Sequence, residues 1–135
     1  MIAIDSNIVI YALNNNADFA IYAQSILLRM QKVGGIMSTI LRTESLCITK
    51  DPIVRNEIHS FLSDIKNTIF ISVDPKIADY AGQILADYPA IKIADAIHLA
   101  TAKQAGATEF WTNDNKLCKV SIKDLIIRPL SEASL

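Results

Sequence analysis

The sequence is poor in the residues that make scaffolds without a core. Its only cysteines, Cys47 and Cys118, lie far apart with no C-x-x-C pair. That excludes a zinc-ribbon signature and a disulfide framework, and it fits two reduced thiols in a cytoplasmic protein. Glycine and proline number four each, too few for long flexible linkers, and no glycine-rich phosphate loop occurs. Neither sign of charge predominates: 13 Lys and Arg against 14 Asp and Glu leave a net charge of −1. A generally basic nucleic-acid binder is therefore excluded, but a site that gathers cations through carboxylates is not. No run approaches the roughly 18 apolar residues of a membrane span. The opening Met1-Ile2-Ala3-Ile4-Asp5 lacks the basic start of a signal peptide. Internal repeats and low-complexity tracts are absent too. What is present is a chain of 135 residues that is 51% hydrophobic and 20% charged. That is enough to bury a core within one domain without cross-links.

Short apolar runs alternate with helical periodicity. Met1–Ile4 reads as a strand buried on both faces. Asp5-Ser6-Asn7 is capping chemistry before a short helix over Ile8–Leu13. Asn14-Asn15-Asn16 is a turn, and Asp18–Val33 is an amphipathic helix ended by Gly34-Gly35. Ile36-Met37 predicts a second strand, and Ser38-Thr39 opens a helix to about Thr49. Asp51-Pro52 and Asp74-Pro75 each start a helix, with proline at the first position. Between them Thr68–Val73 is a third strand. Ala94–Ala105 is a helix, Glu109–Thr112 a fourth strand and Leu125–Ile127 a candidate fifth. Such alternation predicts an α/β fold: a three-layer α/β/α sandwich with a mostly parallel sheet of four to five strands. Residues 1–130 form the single expected domain, and Ser131–Leu135 reads as a frayed tail.

Four acidic residues stand out by position. Asp5 follows the first strand, where ligands of parallel sheets bind, though Asp is equally at home as a helix cap. Glu44 has Ile40, Leu41, Cys47 and Ile48 as its helical neighbours, so it projects from the face that packs inward. A carboxylate there needs a cation, a donor or a proton. Asp95 opens the alanine-rich helix Ala94-Asp95-Ala96-Ile97-His98-Leu99-Ala100, where it complements the helix dipole or serves a site. His98, one turn on, reads as a hydrogen-bonded core residue. Asp114 follows the fourth strand in a turn-like Asn113-Asp114-Asn115. If strands one and four are neighbours, Asp5 and Asp114 share a crevice. Two carboxylates 4 Å apart repel by about 4 kcal/mol at an effective dielectric near 20, so four together call for cations. Magnesium suits hard oxygen ligands that leave room for phosphate and water.

The ordered set of Asp5-Ser6-Asn7 with Tyr11, Ser38 to Glu44, Asp95-Ala96-Ile97-His98-Leu99-Ala100-Thr101-Ala102, and Thr112-Asn113-Asp114 resembles the PIN domain. The likeness covers Met1 to about Arg128. Small stand-alone domains of this length are similar to VapC-type toxins of toxin–antitoxin pairs. The resemblance implies a metal-dependent endoribonuclease using Mg2+ or Mn2+, with Asp5, Glu44, Asp95 and Asp114 at the acidic positions and Asn7 and Thr112 as polar supports. It also implies an RNA substrate, a homodimer and a small antitoxin partner. RNA rather than DNA rests on the resemblance alone. The expected chemistry is metal-assisted phosphodiester hydrolysis, with Arg42, Lys92 and Lys116 as candidate substrate contacts. Two alternatives stand beside it. One is a receiver-like Mg2+-binding signalling domain with Asp74 as phospho-acceptor; the other is a PIN fold that binds RNA without cutting it.

Overall fold

The computed structural model describes all residues from Met1 to Leu135. Five strands, β1 (Ile2–Ile4), β2 (Gly35–Ser38), β3 (Thr68–Ile71), β4 (Glu109–Thr112) and β5 (Ile126–Pro129), form one sheet in the order β3-β2-β1-β4-β5. Every pairing is parallel. Six helices connect them: α1 (Ser6–Leu13), α2 (Ala20–Val33), α3 (Ile40–Leu46), α4 (Pro52–Asp64), α5 (Pro75–Asp87) and α6 (Ile93–Gln104).

The side-chain period of two sorts each central strand between two cores. Ala3, Ile36 and Phe110 pack with Ile77, Ala81 and Ile84 of α5 and Ala96, Leu99 and Ala100 of α6. Ile2, Ile4, Met37 and Trp111 pack on the other face with α1, α2 and α4. Coverage on both sides explains why β1 is an unbroken apolar run rather than an alternating one. Asp51 and Asp74 cap α4 and α5, accepting the backbone N–H of Ile53 at 2.9 Å and of Ile77 at 2.8 Å. Each such cap contributes about 1 kcal/mol. Gly35 is required by close approach: a Cβ there would lie 2.6 Å from both the Met30 methyl and the Thr68 hydroxyl.

Three local expectations shift. α2 begins at Ala20 rather than Asp18, because the Asn16 side chain accepts the N–H groups of Asp18 and Phe19, each at 3.0 Å, and holds them in a turn. α3 stops at Leu46, short of Thr49, whose hydroxyl accepts the Asp51 N–H at 3.1 Å and whose carbonyl accepts from Arg55 at 3.1 Å. Ser131–Leu135, expected to fray, is tethered at two points. Ala133 is buried beside α2 next to Leu130, and the Ser25 hydroxyl donates to the Ser134 carbonyl, while the other tail side chains stay exposed. Two apolar side chains three apart across a single turn are enough to seat the tail. The sheet order also removes the receiver alternative. Receivers place the third strand at the centre, in the order 2-1-3-4-5, whereas β3 is here an edge strand and Asp74 is spent on capping α5.

Candidate active site at the carboxyl ends of β1 and β4

Between β1 and β4 the strand order reverses, since the chain leaves β1 toward β2 and returns on the far side into β4. That point is where doubly wound sheets open a crevice. Asp5 leaves β1 into it, with its backbone N–H on the Trp111 carbonyl at 3.3 Å. It is only 3% exposed. One carboxylate oxygen accepts the Asn7 N–H at 3.2 Å and the other accepts the Thr112 hydroxyl at 2.5 Å. The Thr112 oxygen in turn accepts the Asp114 N–H at 3.0 Å. One fully buried threonine therefore orients both strand-end acids. Asn7 supports Asp5 through its backbone, while the residue itself is exposed. The Asp114 carboxylate accepts the Lys116 N–H at 2.8 Å. The loop carrying Asp114 is fastened to α1 by Asn113, whose amide donates to the Tyr11 hydroxyl at 3.2 Å.

Glu44 reaches the crevice from α3 and Asp95 from the first turn of α6. The donor that Glu44 needs is His98, whose Nε2 donates to Oε1 of Glu44 from a side chain only 1% exposed. Nδ1 of the same ring is buried without a partner. Asp95 is half-buried and its carboxylate accepts no hydrogen bond from the protein. No lysine or arginine lies within ion-pair distance of Asp5, Asp95 or Asp114.

These surroundings split the acids electrostatically. Burial pushes the Asp5 carboxyl up to about 6; the Thr112 hydrogen bond and the His98 charge pull it back, and Asp95 adds to the rise. Burial also raises Asp95, with the charges of Asp114 and Glu44 adding to it against His98 and Lys92. Burial acts to raise Glu44 as well, but its hydrogen bond and charge interaction with His98, with help from Ser6 and Lys92, hold it below the usual range. Asp95 is the hub, sensing Asp5, Asp114 and Glu44.

The donors do not close into a cage: no three His, Cys, Asp or Glu side chains converge to hold an ion by themselves. Mg2+ rarely asks for one. It keeps several waters and is usually held by one or two carboxylates together with phosphate. The donors are hard oxygens, buried or half-buried. Asp95 repels each of the other three, and Asp5, Asp95 and Asp114 have no basic partner, so these three fit a hydrated divalent ion while Glu44 is already paired with His98.

Of the candidate substrate contacts, Lys92 is exposed at the start of α6 and its charge reaches Glu44 and Asp95. Lys116 follows Asp114 on an exposed turn. Arg42 is engaged elsewhere. Its guanidinium lies 4.9 Å from the Phe70 ring centre and within 3.3 Å of His59 and 3.4 Å of the Ser63 hydroxyl, bracing α3 on α4 and β3. Sequence reasoning missed Ser6 and understated His98, whose one-turn spacing from Asp95 was the available signal.

A family model described as the PIN domain matches residues 2–123. No curated protein matches the chain in sequence. Among solved structures, a toxin–antitoxin complex from Klebsiella pneumoniae is similar with a TM-score of 0.73 and 23% identity, covering 93% of this chain and 96% of that one. VapBC2 from Rickettsia felis, bound to a promoter DNA fragment, gives 0.72 and 23% over 96% and 98% of the two chains. VapC20 of Mycobacterium tuberculosis, described as a sarcin–ricin loop cleaving toxin, gives 0.74 and 13% over 92% and 98%.

Proposed function

We propose that this chain, which belongs to the PIN domain family, is a Mg2+- or Mn2+-dependent endoribonuclease and the toxin of a type II toxin–antitoxin pair. The observation that supports the reading is that Asp95, at the start of α6, lies within reach of the charges of Asp5, Asp114 and Glu44, from β1, the β4 exit and α3. Burial and mutual repulsion raise Asp5 and Asp95 there, and no basic side chain pairs with Asp5, Asp95 or Asp114. The toxin role draws on the likeness to toxin–antitoxin structures.

In this mechanism Asp5, Asp95 and Asp114 would hold a divalent ion, with Glu44 as a direct or water-mediated fourth donor. When bound, the ion would supply positive charge against the scissile phosphate and lower the pKa of a water. Asp5 is locked by the Thr112 hydroxyl and the Asn7 N–H, so its oxygens present one fixed direction to the crevice. Asp114 is set by the same threonine through its backbone. Glu44, kept ionised by His98, is the acid best suited to orient a water or take its proton. Lys92 and Lys116 flank the crevice as phosphate contacts.

Purified protein should cut single-stranded RNA with Mg2+ or Mn2+ and stop in EDTA; cleavage that persists in EDTA would overturn the metal mechanism. Expression of the chain alone should arrest growth, and a co-expressed small partner should relieve it. An arginine from such a partner would pair bidentately with these carboxylates in place of metal. Unimpaired growth with soluble, RNA-cutting protein would remove the toxin role and keep the nuclease. Sedimentation of the purified chain tests the expected homodimer.

A further inference from the structure

We infer that a cavity of about 410 Å³ beside the carboxylates, lined by Asp87, Tyr88, Pro89, Ala90, Ile91, Lys116 and Lys119, is a subsite for one nucleotide of single-stranded RNA adjacent to the cleaved bond. The inference rests on the ribonuclease reading and adds to it where the substrate strand runs.

Both walls of the cavity continue into the site. Asp87 at the end of α5 and the connection Tyr88 to Ile91 run directly into Lys92 and the α6 turn that carries Asp95. The opposite wall, a 3-10 turn at Leu117–Lys119 with Lys116 before it, begins two residues after Asp114. On this reading a strand with one phosphate at the carboxylates would place its neighbouring nucleotide at this cavity, because Lys116 lies two residues from Asp114 and Ile91 four from Asp95.

The lining is divided in the way a nucleotide is. Tyr88, Pro89, Ala90 and Ile91 offer an apolar wall for a base, whereas Lys116 and Lys119 offer ammonium groups for phosphate. Neither lysine is held in an ion pair or side-chain hydrogen bond. Asp87 on the base side repels phosphate and accepts a base N–H, which orients the nucleotide with its phosphate toward the lysines. Single-stranded RNA is bound by this combination of flat side chains and cations, and the volume falls within the usual range of small-ligand pockets.

The walls are also fixed before any ligand arrives. The Tyr88 hydroxyl accepts the Ser121 N–H at 3.1 Å, and the Tyr88 N–H donates to Ile84 at 2.8 Å. Lys116 is tied through its backbone to the Asp114 carboxylate at 2.8 Å, and buried Leu117 anchors the turn. Preformed walls lower the ordering cost of binding.

The test measures binding of a 5′-labelled 12-nucleotide single-stranded RNA by fluorescence anisotropy in EDTA, with KM for its cleavage in Mg2+ as a second readout. The double variant Lys116→Ala/Lys119→Ala should bind about tenfold more weakly, and its log–log salt slope should fall by about 1.4, two phosphates at about 0.7 each. Lys116→Arg/Lys119→Arg should restore both. Tyr88→Ala, or Tyr88→Leu should the alanine variant lose its thermal transition, should cost about fivefold or more in affinity. The same change should cost nothing toward an RNA abasic at the nucleotide that binds here, found by scanning one abasic residue along the 12-mer. Wild-type affinity and slope in the double lysine variant would overturn the subsite and leave the ribonuclease standing. Lysine-dependent binding by a wild type that never cuts RNA would keep the subsite and overturn the ribonuclease.

Discussion

Strand β4 carries a carboxylate at its start, Glu109, and a group of them at its exit around Thr112 and Asp114, and the two ends are wired oppositely. Glu109 accepts the Trp111 indole N–H at 3.0 Å, a pair of contacts from Arg29 at 3.1 Å each, and Arg128 at 3.6 Å. Burial acts to raise its carboxyl, yet Trp111, Arg29 and Arg128 hold it below the usual range. At the exit, Asp5 and Asp95 are raised and no arginine comes near. A carboxylate that ties α2, β4 and β5 together has its cations built in. Asp5 and Asp95 at the exit have no such partner and are raised by burial, the arrangement that the proposed metal site would call for.

The sharpest break of this symmetry is in activity. Asp5→Asn, Asp95→Asn and Asp114→Asn should each lower metal-dependent RNA cleavage on the order of a hundredfold or more, with unchanged circular dichroism. Glu109→Gln should stay within a few-fold of wild type. Equal losses at both ends would mean that the exit acids are structural as well.

The pH dependence comes next in size. A carboxyl whose folded pKa lies above its unfolded value binds more protons when folded, so stability falls as pH rises from the unfolded pKa through the folded one. For Asp5 that window runs from 3.8 to about 6. In EDTA the protein should therefore gain up to about 3 kcal/mol between pH 7 and pH 4 from Asp5, with Asp95 adding in the same direction. Glu109 and Glu44 have the opposite sign. Their contributions are complete above the ordinary carboxylate pKa and are lost as pH falls through their lowered values. Urea unfolding at several pH values should show maximum stability on the acid side of neutral without metal, and Mg2+ should move it toward neutral. A metal-free optimum at or above pH 7 would count against the strained exit.

Glu109→Gln should destabilise by about 2 kcal/mol, since it takes an acceptor from two arginines, which corresponds to roughly 5–10 °C in Tm for a chain of this length. The same drop should appear with and without Mg2+.

The smallest effect isolates the hub. Asp95 accepts no hydrogen bond, so Asp95→Asn removes charge at little structural cost. Metal-free Asp95→Asn should melt a few degrees above metal-free wild type, about 1 kcal/mol after allowance for solvent screening. Mg2+ should raise wild type more than the variant. If the metal-free variant melts lower and Mg2+ shifts both alike, Asp95 is a helix-dipole residue and not a member of the cluster.

Local chemistry was legible along the chain. The apolar run before Asp5, the Asp-Pro starts of α4 and α5 and the span of β4 all follow from caps, periodicity and proline geometry within a few residues. The suspicion attached to Glu44 was only half grounded: Leu41 is buried, but α3 ends at Leu46 and leaves Cys47 and Ile48 exposed, so the contact with His98 and not helical spacing engages Glu44. Tertiary structure decided the partners. The hydrogen bond from Thr112 to Asp5 spans 107 positions and that from His98 to Glu44 spans 54. Both depend on β4 inserting beside β1 and on α6 packing next to α3, and no local pattern encodes that choice of neighbour. The same holds for the arginines on Glu109, for Arg42 bracing α4 and for the seated tail. A carboxylate's position in sequence determines that it needs compensation; only the fold determines whether protein cations supply it or the site is left open for a metal.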